Sequence, residues 1–225
     1  MDLPVSMDEI ERIEVLEGPA ARVYGTSSLL GAINLVTRIP QKSSATVRAE
    51  GGSYGYMATS ARGNVSSESW GNQLSASYLR SDGYLRSKEG ALNSDYRTGK
   101  AFYQGRYDDP NVALRWQAGL TSKDYGSNTY YSARYDNQFE HTLKTFLSLQ
   151  GENQSGPVHF RPSIYWNHQE DRFELVRGSE SQVPYNYHRT EVFGLNLNAY
   201  FDWTLGRTAF GAEARNEDII STNLG

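Results

Sequence analysis

From Thr46 onwards, apolar and polar positions alternate in run after run, the period of a strand with two unlike faces. In the first run, 46–52, Val47, Ala49 and Gly51 oppose Thr46, Arg48 and Glu50. A second run covers 56–65, and a third, 73–80, sets Leu74, Ala76 and Tyr78 on one face. The fourth, 96–107, opposes Ala101, Tyr103 and Gly105 to Lys100, Gln104 and Arg106. The fifth is the clearest: Val112, Leu114, Trp116, Ala118 and Leu120 alternate with Ala113, Arg115, Gln117, Gly119 and Thr121. A sixth, 141–150, aligns Leu143, Leu147 and Leu149, and a seventh, 158–168, sets Phe160, Ile164 and Trp166 against Arg161, Ser163 and Asn167. The eighth carries Phe193, Leu195, Leu197, Ala199, Phe201 and Trp203 on one face, and a ninth begins after Gly206.

The connections alternate in length. They are short at 53–55, 108–111, 151–157 and 204–206, medium at 66–72, and long at 81–95, 122–140 and 170–187. Short turns at one end and long loops at the other are the layout of an outer-membrane β-barrel. Runs of this length also exceed the strand of about 5 to 6 residues usual in soluble sheets. Tyr107, Trp116, Trp166 and Trp203 lie where interfacial aromatic girdles would fall.

The first forty residues read differently. Ser6-Met7-Asp8-Glu9 fits a capping box, so a short helical turn is expected there. Residues 10–16 alternate as a half-buried strand, with Ile13 and Val15 on one side and Arg12 and Glu14 on the other. Gly18-Pro19 ends it, residues 27–31 suit another helical turn, and residues 33–37 read as a second strand closed by Pro40. This mixed α/β piece is too small to hold a core alone.

Composition supports the β reading. The 225 residues include 16 Tyr, 8 Phe, 4 Trp and 21 Gly, and aromatic side chains suit a pleated surface. No apolar run reaches the length of about 18 residues that a spanning helix needs. The modest mean hydropathy of −0.64 does not exclude a barrel, whose strands are apolar at every second position only. A net charge of −4 argues against a general nucleic-acid binder. Cysteine is absent, which excludes disulfides, thiolate metal sites and a cysteine nucleophile. The N-terminus, Met1-Asp2-Leu3-Pro4, has no signal-peptide character, so the chain reads as an interior part of something larger or as cytoplasmic.

Residues 11–20 (ERIEVLEGPA), then Val23-Tyr24-Gly25, then residues 31–38 (GAINLVTR) resemble the end of the plug in TonB-dependent outer-membrane receptors. The residues carrying the likeness are Glu11, Arg12, Glu14, Gly18, Pro19, Tyr24, Gly25, Gly31 and Asn34. Two positions depart from the pattern: Glu17 replaces the family's arginine, and Ala32 replaces the second glycine of a pair. Plug arginines in the family tend to pair with glutamates on the barrel wall, so Glu17 puts that contact in doubt and leaves Arg22 as the nearby cation. The resemblance implies residues 1–40 as the C-terminal part of a plug. Residues 41–225 become the N-terminal portion of an all-β membrane barrel, about nine antiparallel strands of a barrel with about 22.

The same resemblance implies active import of a scarce, bulky ligand, such as a corrinoid or an iron siderophore, across the bacterial outer membrane. In that family the barrel forms the pore and the plug closes it. Ligand bound outside signals TonB, through a segment this chain does not carry, to remodel the plug using the inner-membrane proton gradient. The implied partners are TonB, a small-molecule ligand and outer-membrane lipid. Residues 130–133, 160–166 and 171–175 are further similar to the cobalamin-receptor branch of Bacteroidetes.

No constellation for catalysis stands out. His141, His159, His168 and His188 are scattered without metal-ligand spacing, and each reads as a lumen or loop residue. Glu170-Asp171, Asp108-Asp109 and Glu217-Asp218 read as turn acids. No cofactor is expected. The candidate chemistry is recognition: Tyr125, Tyr130, Tyr131, Arg134, Tyr135 and Asp136 share one long loop, and Tyr185 and Tyr187 repeat the theme in another. Tyrosine supplies stiff contact area with a polar tip, suited to a bulky amphipathic ligand. Packing of the loops is the competing reading for these tyrosines. A secreted β-rich binding module with tyrosine-lined loops is the alternative function, and a glycan-active enzyme would need a carboxylate pair that the sequence does not supply.

Overall fold

The computed structural model describes residues 3–17, 31–38, 41–87, 90–91, 93–179 and 185–222. They divide into two compact units, one of Val5–Ile39 and one of Met1–Pro4 with Pro40–Gly225.

In the smaller unit a single 3-10 turn, Met7–Glu9, leads into an antiparallel pair, β1 (Ile10–Glu17) and β2 (Gly31–Thr37). The turn forms where the capping box predicts it. The Ser6 N–H donates to the Glu9 carboxylate at 2.7 Å, and the Glu9 N–H donates to the Ser6 carbonyl at 3.0 Å. Arg38 N–H then closes on the Glu9 carbonyl at 2.7 Å. Gly31 has φ +153°, and a Cβ there would lie 2.4 Å from the Leu16 carbonyl oxygen, so only glycine fits this close approach. Gly31 opens a strand rather than ending a helical turn; residues 27–30 lie outside the described residues. The expected half-burial of Ile13 and Val15 is not observed: they are 50% and 66% exposed.

The larger unit is a nine-stranded antiparallel sheet. Its strands are β3 (Ser44–Gly51), β4 (Met57–Ser66), β5 (Trp70–Ser81), β8 (Tyr96–Asp108), β9 (Val112–Asn128), β10 (Gln138–Asn153), β11 (Val158–Glu174), β12 (Tyr185–Trp203) and β13 (Gly206–Ser221). Each pairs with its neighbours in chain order, and β3 and β13 are the edges. The two short strands β6 (Leu85–Ser87) and β7 (Gly90–Ala91) pair with each other inside the connection between β5 and β8.

Register fixes the two faces. One carries Val47, Leu74, Tyr103, Trp116, Leu147, Ile164, Phe193, Leu195 and Phe210, and most of these side chains are exposed. The other carries Lys100, Gln104, Arg115, Gln117, Lys144, Gln169, Asn196 and Arg215. The apolar face has no covering layer among the described residues, the arrangement of a sheet that meets lipid rather than water. On β11 the apolar stretch Val158–Trp166 runs roughly 27 Å along the strand at about 3.4 Å per residue.

Bulky rings lie over glycines of the neighbouring strand. Trp116 covers its register partner Gly105, Phe146 covers Gly119, and Tyr165 covers Gly194. Phe102, 1% exposed, packs beside Phe146 with ring centroids 6.3 Å apart. These pairs add to the register already imposed by the unlike faces, since a slip of one residue would move each ring off its glycine and exchange the two faces.

Several strands run past their expected ends, β10 among them, which spans Gln138–Asn153 rather than 141–150. β9 extends to Asn128, β11 to Glu174, and β12 begins at Tyr185. The long connections shrink accordingly, to 129–137 and 175–184, and the connection expected at 66–72 shortens to 67–69. The paired acids are corrected too. Asp108-Asp109 sits at a turn, whereas Glu170-Asp171 and Glu217-Asp218 lie inside β11 and β13.

Candidate functional site

Beyond the apolar stretch both faces turn polar. Above Leu120 on β9 the formerly apolar positions become Ser122 and Asp124; above Trp166 on β11 they become His168, Glu170 and Arg172. Trp166 marks the change: its indole N–H donates to Glu191 at 2.7 Å, and its ring stacks on His168. His168 also contacts Glu191 at 2.7 Å, and Arg97 pairs with Asp124 at 2.8 Å. His141 and His168 therefore sit on the apolar face's polar end, not in the lumen or a loop.

The connection 129–137 at this end is held from beneath by one side chain. Gln138 is fully buried, and its carboxamide oxygen accepts the Tyr131 N–H at 3.1 Å. Its amide group donates to the carbonyls of Ser132 at 2.8 Å and Tyr135 at 2.7 Å. Asn93 donates to the Gln138 carbonyl at 2.6 Å, and Arg177 N–H donates to the Asn137 carbonyl at 2.8 Å. Asn128, with φ +47°, turns the chain out of β9 in the left-handed region that asparagine tolerates.

On this frame Tyr131 stands at the centre of an aromatic group. Its ring meets Tyr130 edge-on at 4.8 Å and Phe173 at 4.7 Å. Its hydroxyl donates to Glu140 at 2.6 Å, and the Tyr125 hydroxyl bonds both Glu140 and Tyr131. The Glu140 carboxylate and partial burial push the Tyr131 phenol up to about 12. Burial, then Glu140, raises Tyr125 as well. Lys123 lies over the Tyr125 ring at 4.3 Å. Tyr130 remains 81% exposed and Tyr131 54% exposed, so the group presents rings to the outside rather than packing them away.

The structure thus brings Tyr125, Tyr130 and Tyr131 together. Tyr125 belongs to β9, not to a loop as expected. Arg134 lies over the Tyr135 ring at 5.8 Å, and Asp136 is exposed on the same connection. Tyr185 and Tyr187 are set apart. They lie on β12, not in a loop, and share the face of Phe193, opposite to Tyr125; Tyr187 bonds Glu170 there. Gln138, Glu140 and Arg177 were not signalled by the sequence, because an isolated glutamine, glutamate or arginine has no pattern; Phe173 falls in the segment 171–175 noted above.

Of the plug-type residues, Gly18, Pro19, Tyr24 and Gly25, together with Arg22, lie outside the described residues. Glu14 and Asn34 are register partners on β1 and β2, joined by a 2.8 Å bond from the Asn34 amide. Arg12 donates to the other Glu14 oxygen at 2.7 Å and pairs with Glu11 at 3.4 Å. The Asn34 bond, then Arg12, hold the Glu14 carboxyl below its ordinary range. Among the described residues no group of three or more His, Cys, Asp or Glu side chains is arranged to hold a metal ion.

No family model matches the chain. Over 138 residues it is 27% identical to the vitamin B12 transporter BtuB of Vibrio vulnificus, a match covering 57% of this chain and 22% of that protein. In structure, 98% of the chain superposes on 36% of the copper transporter OprC, with TM-score 0.73 and 14% identity. It also matches the ferric-catecholate import receptor Fiu of E. coli, with TM-score 0.70, 13% identity and 94% of this chain on 40% of that one. The fold is that of the TonB-dependent outer-membrane receptors. The nine-stranded sheet matches part of such a receptor's barrel, left open here. The chain spans between a fifth and two fifths of the length of these receptors.

Proposed function

We propose that this chain serves a TonB-dependent receptor in the active import of a scarce, bulky ligand, a corrinoid such as cobalamin or an iron siderophore. In this reading residues 1–40 form the C-terminal part of the plug and residues 41–225 the first part of the barrel wall. The polar end of the sheet faces outside, where Tyr125, Tyr130, Tyr131, Arg134, Tyr135 and Asp136 meet the ligand. Tyr185 and Tyr187, on the opposite face, serve the headgroup level instead. No covalent step is required, and TonB supplies the work of moving the plug.

The observation that carries the reading is the pairing of an uncovered apolar stretch with a polar end that displays exposed tyrosines. A secreted binding module would leave that apolar stretch in water, an aggregation hazard.

Replacing Tyr130, Tyr131 and Tyr135 together with Ala in the intact receptor tests the ligand role. Loss of even one well-buried aromatic anchor costs about 2 kcal/mol or more, so affinity for labelled cyanocobalamin or a ferric siderophore falls by roughly thirtyfold or more. Surface level and heat stability stay nearly unchanged. Unchanged affinity for every ligand that the unaltered receptor binds removes these residues from the site.

A further inference from the structure

Two of the three phenols of the tyrosine group, Tyr125 and Tyr131, have already committed their protons. A phenolic hydroxyl has one proton to donate and lone pairs to accept with, whereas an ionised carboxylate only accepts. Tyr131 donates to Glu140 at 2.6 Å, and the Tyr125 hydroxyl is directed at Glu140 and at the Tyr131 oxygen. At the contact of Tyr125, Tyr131 and Glu140, what remains for an incoming molecule is two phenol oxygens and a carboxylate, all acceptors, beside the rings of Tyr130, Tyr131 and Phe173. Asp171 adds negative potential at Tyr131. The cations nearby are engaged with ring faces: Lys123 lies over the Tyr125 ring at 4.3 Å and Arg134 over the Tyr135 ring at 5.8 Å. The frame beneath is set before any ligand arrives, because Gln138 holds the connection through three bonds.

We infer that this aromatic and acceptor-lined patch selects a neutral or cationic ligand rich in hydrogen-bond donors, such as primary amides or amines, and rejects polyanions. The inference rests on the ligand role proposed above for Tyr130 and Tyr131. A polyanionic ferric tris-catecholate would bring acceptor oxygens and negative charge against acceptors. Such a juxtaposition leaves buried polar groups unpaired and sets like charges together. A ligand edged with amide NH2 groups finds a partner at each oxygen and a ring for its apolar face. The raised Tyr131 phenol also stays protonated, so it offers no phenolate to a ferric ion.

The test uses the intact receptor in detergent, with cyanocobalamin as the neutral, amide-bearing probe and ferric enterobactin as the polyanion. The corrinoid is expected to bind at least tenfold more tightly. Glu140→Gln keeps the shape but replaces half of the carboxylate's acceptors with a donor. It should weaken the corrinoid about tenfold, the size of one hydrogen bond to a charged group, and narrow the preference. Tyr131→Phe should weaken the corrinoid without improving the catecholate as much as Glu140→Gln does. Preference for the catecholate, binding of neither probe, or an unchanged ratio in Glu140→Gln overturns the inference. If the catecholate wins and the triple tyrosine variant still loses affinity for it, the ligand role stands and only the chemical class is wrong. If the triple variant binds as before, the ligand role itself has failed.

Discussion

Arg177 grips Asp95 through two bonds, 2.7 and 3.0 Å long, and so ties the turn after β11 to the residues that lead into β8. The guanidinium also lies over the Phe139 ring at 4.4 Å, and Asp95 raises its already high pKa. Both side chains are about a third exposed, so solvent screening keeps the pair's worth near about 1 kcal/mol. Arg177→Lys cannot reproduce the two-bond geometry. We expect Arg177→Ala and Arg177→Lys to speed amide exchange at 93–95 and 129–137 with little change in the barrel's melting. Exchange equal to that of the unaltered protein would show that the pair does not couple these connections.

Gln138 is the more severe case, because three bonds converge on one fully buried carboxamide. Gln138→Leu leaves the Tyr131 N–H and two carbonyls without their partner, at a cost of about 1–3 kcal/mol for each group left buried. The loss is local to 129–137. Trypsin added to intact cells should cut after the exposed Arg134 in the unaltered receptor, and several times faster in Gln138→Leu. Cutting confined to the exposed Arg207, beside the turn between β12 and β13 at the other end of the sheet, or equal rates in both proteins, would contradict the orientation or the clamp respectively.

The ring-over-glycine pairs predict a contrast between two glycines of one strand. A Cβ on Gly105 would lie 2.1 Å from the Trp116 indole, whereas a Cβ on Gly99 would meet nothing within 4 Å. Gly105→Ala should destabilise the sheet by about 1–3 kcal/mol, as overpacking does, and Gly99→Ala should be close to neutral. Heat denaturation of the two variants in detergent measures this directly. Equal melting temperatures would mean that Trp116 does not hold the register.

The apolar stretch was legible in the sequence, and the polar end was not, for one physical reason. Alternation is visible only where one face meets an apolar medium and the other a polar one. From Val112 to Leu120 that condition holds, and the strand is plain. Past Leu120 the outward positions are Ser122 and Asp124, opposite Thr121 and Lys123, so the pattern fades while the backbone ladder continues to Asn128. The same fading hid residues 169–174 of β11 and 185–192 of β12. It placed Tyr125, Tyr185 and Tyr187 in loops and concealed that the last two face away from the first. The tyrosine-rich connection itself could be found by composition. Its organiser, Gln138, could not, since a carboxamide that caps three backbone groups leaves no trace in spacing.

Energised uptake is the most direct test of the central claim. Cells producing the intact receptor are given labelled cyanocobalamin with TonB present, with TonB deleted, and with the proton gradient collapsed by an uncoupler. The account predicts surface binding in all three conditions and accumulation inside the outer membrane only when TonB and the gradient are both intact. Accumulation that persists without TonB, or label that follows the protein into the aqueous fraction, would contradict it.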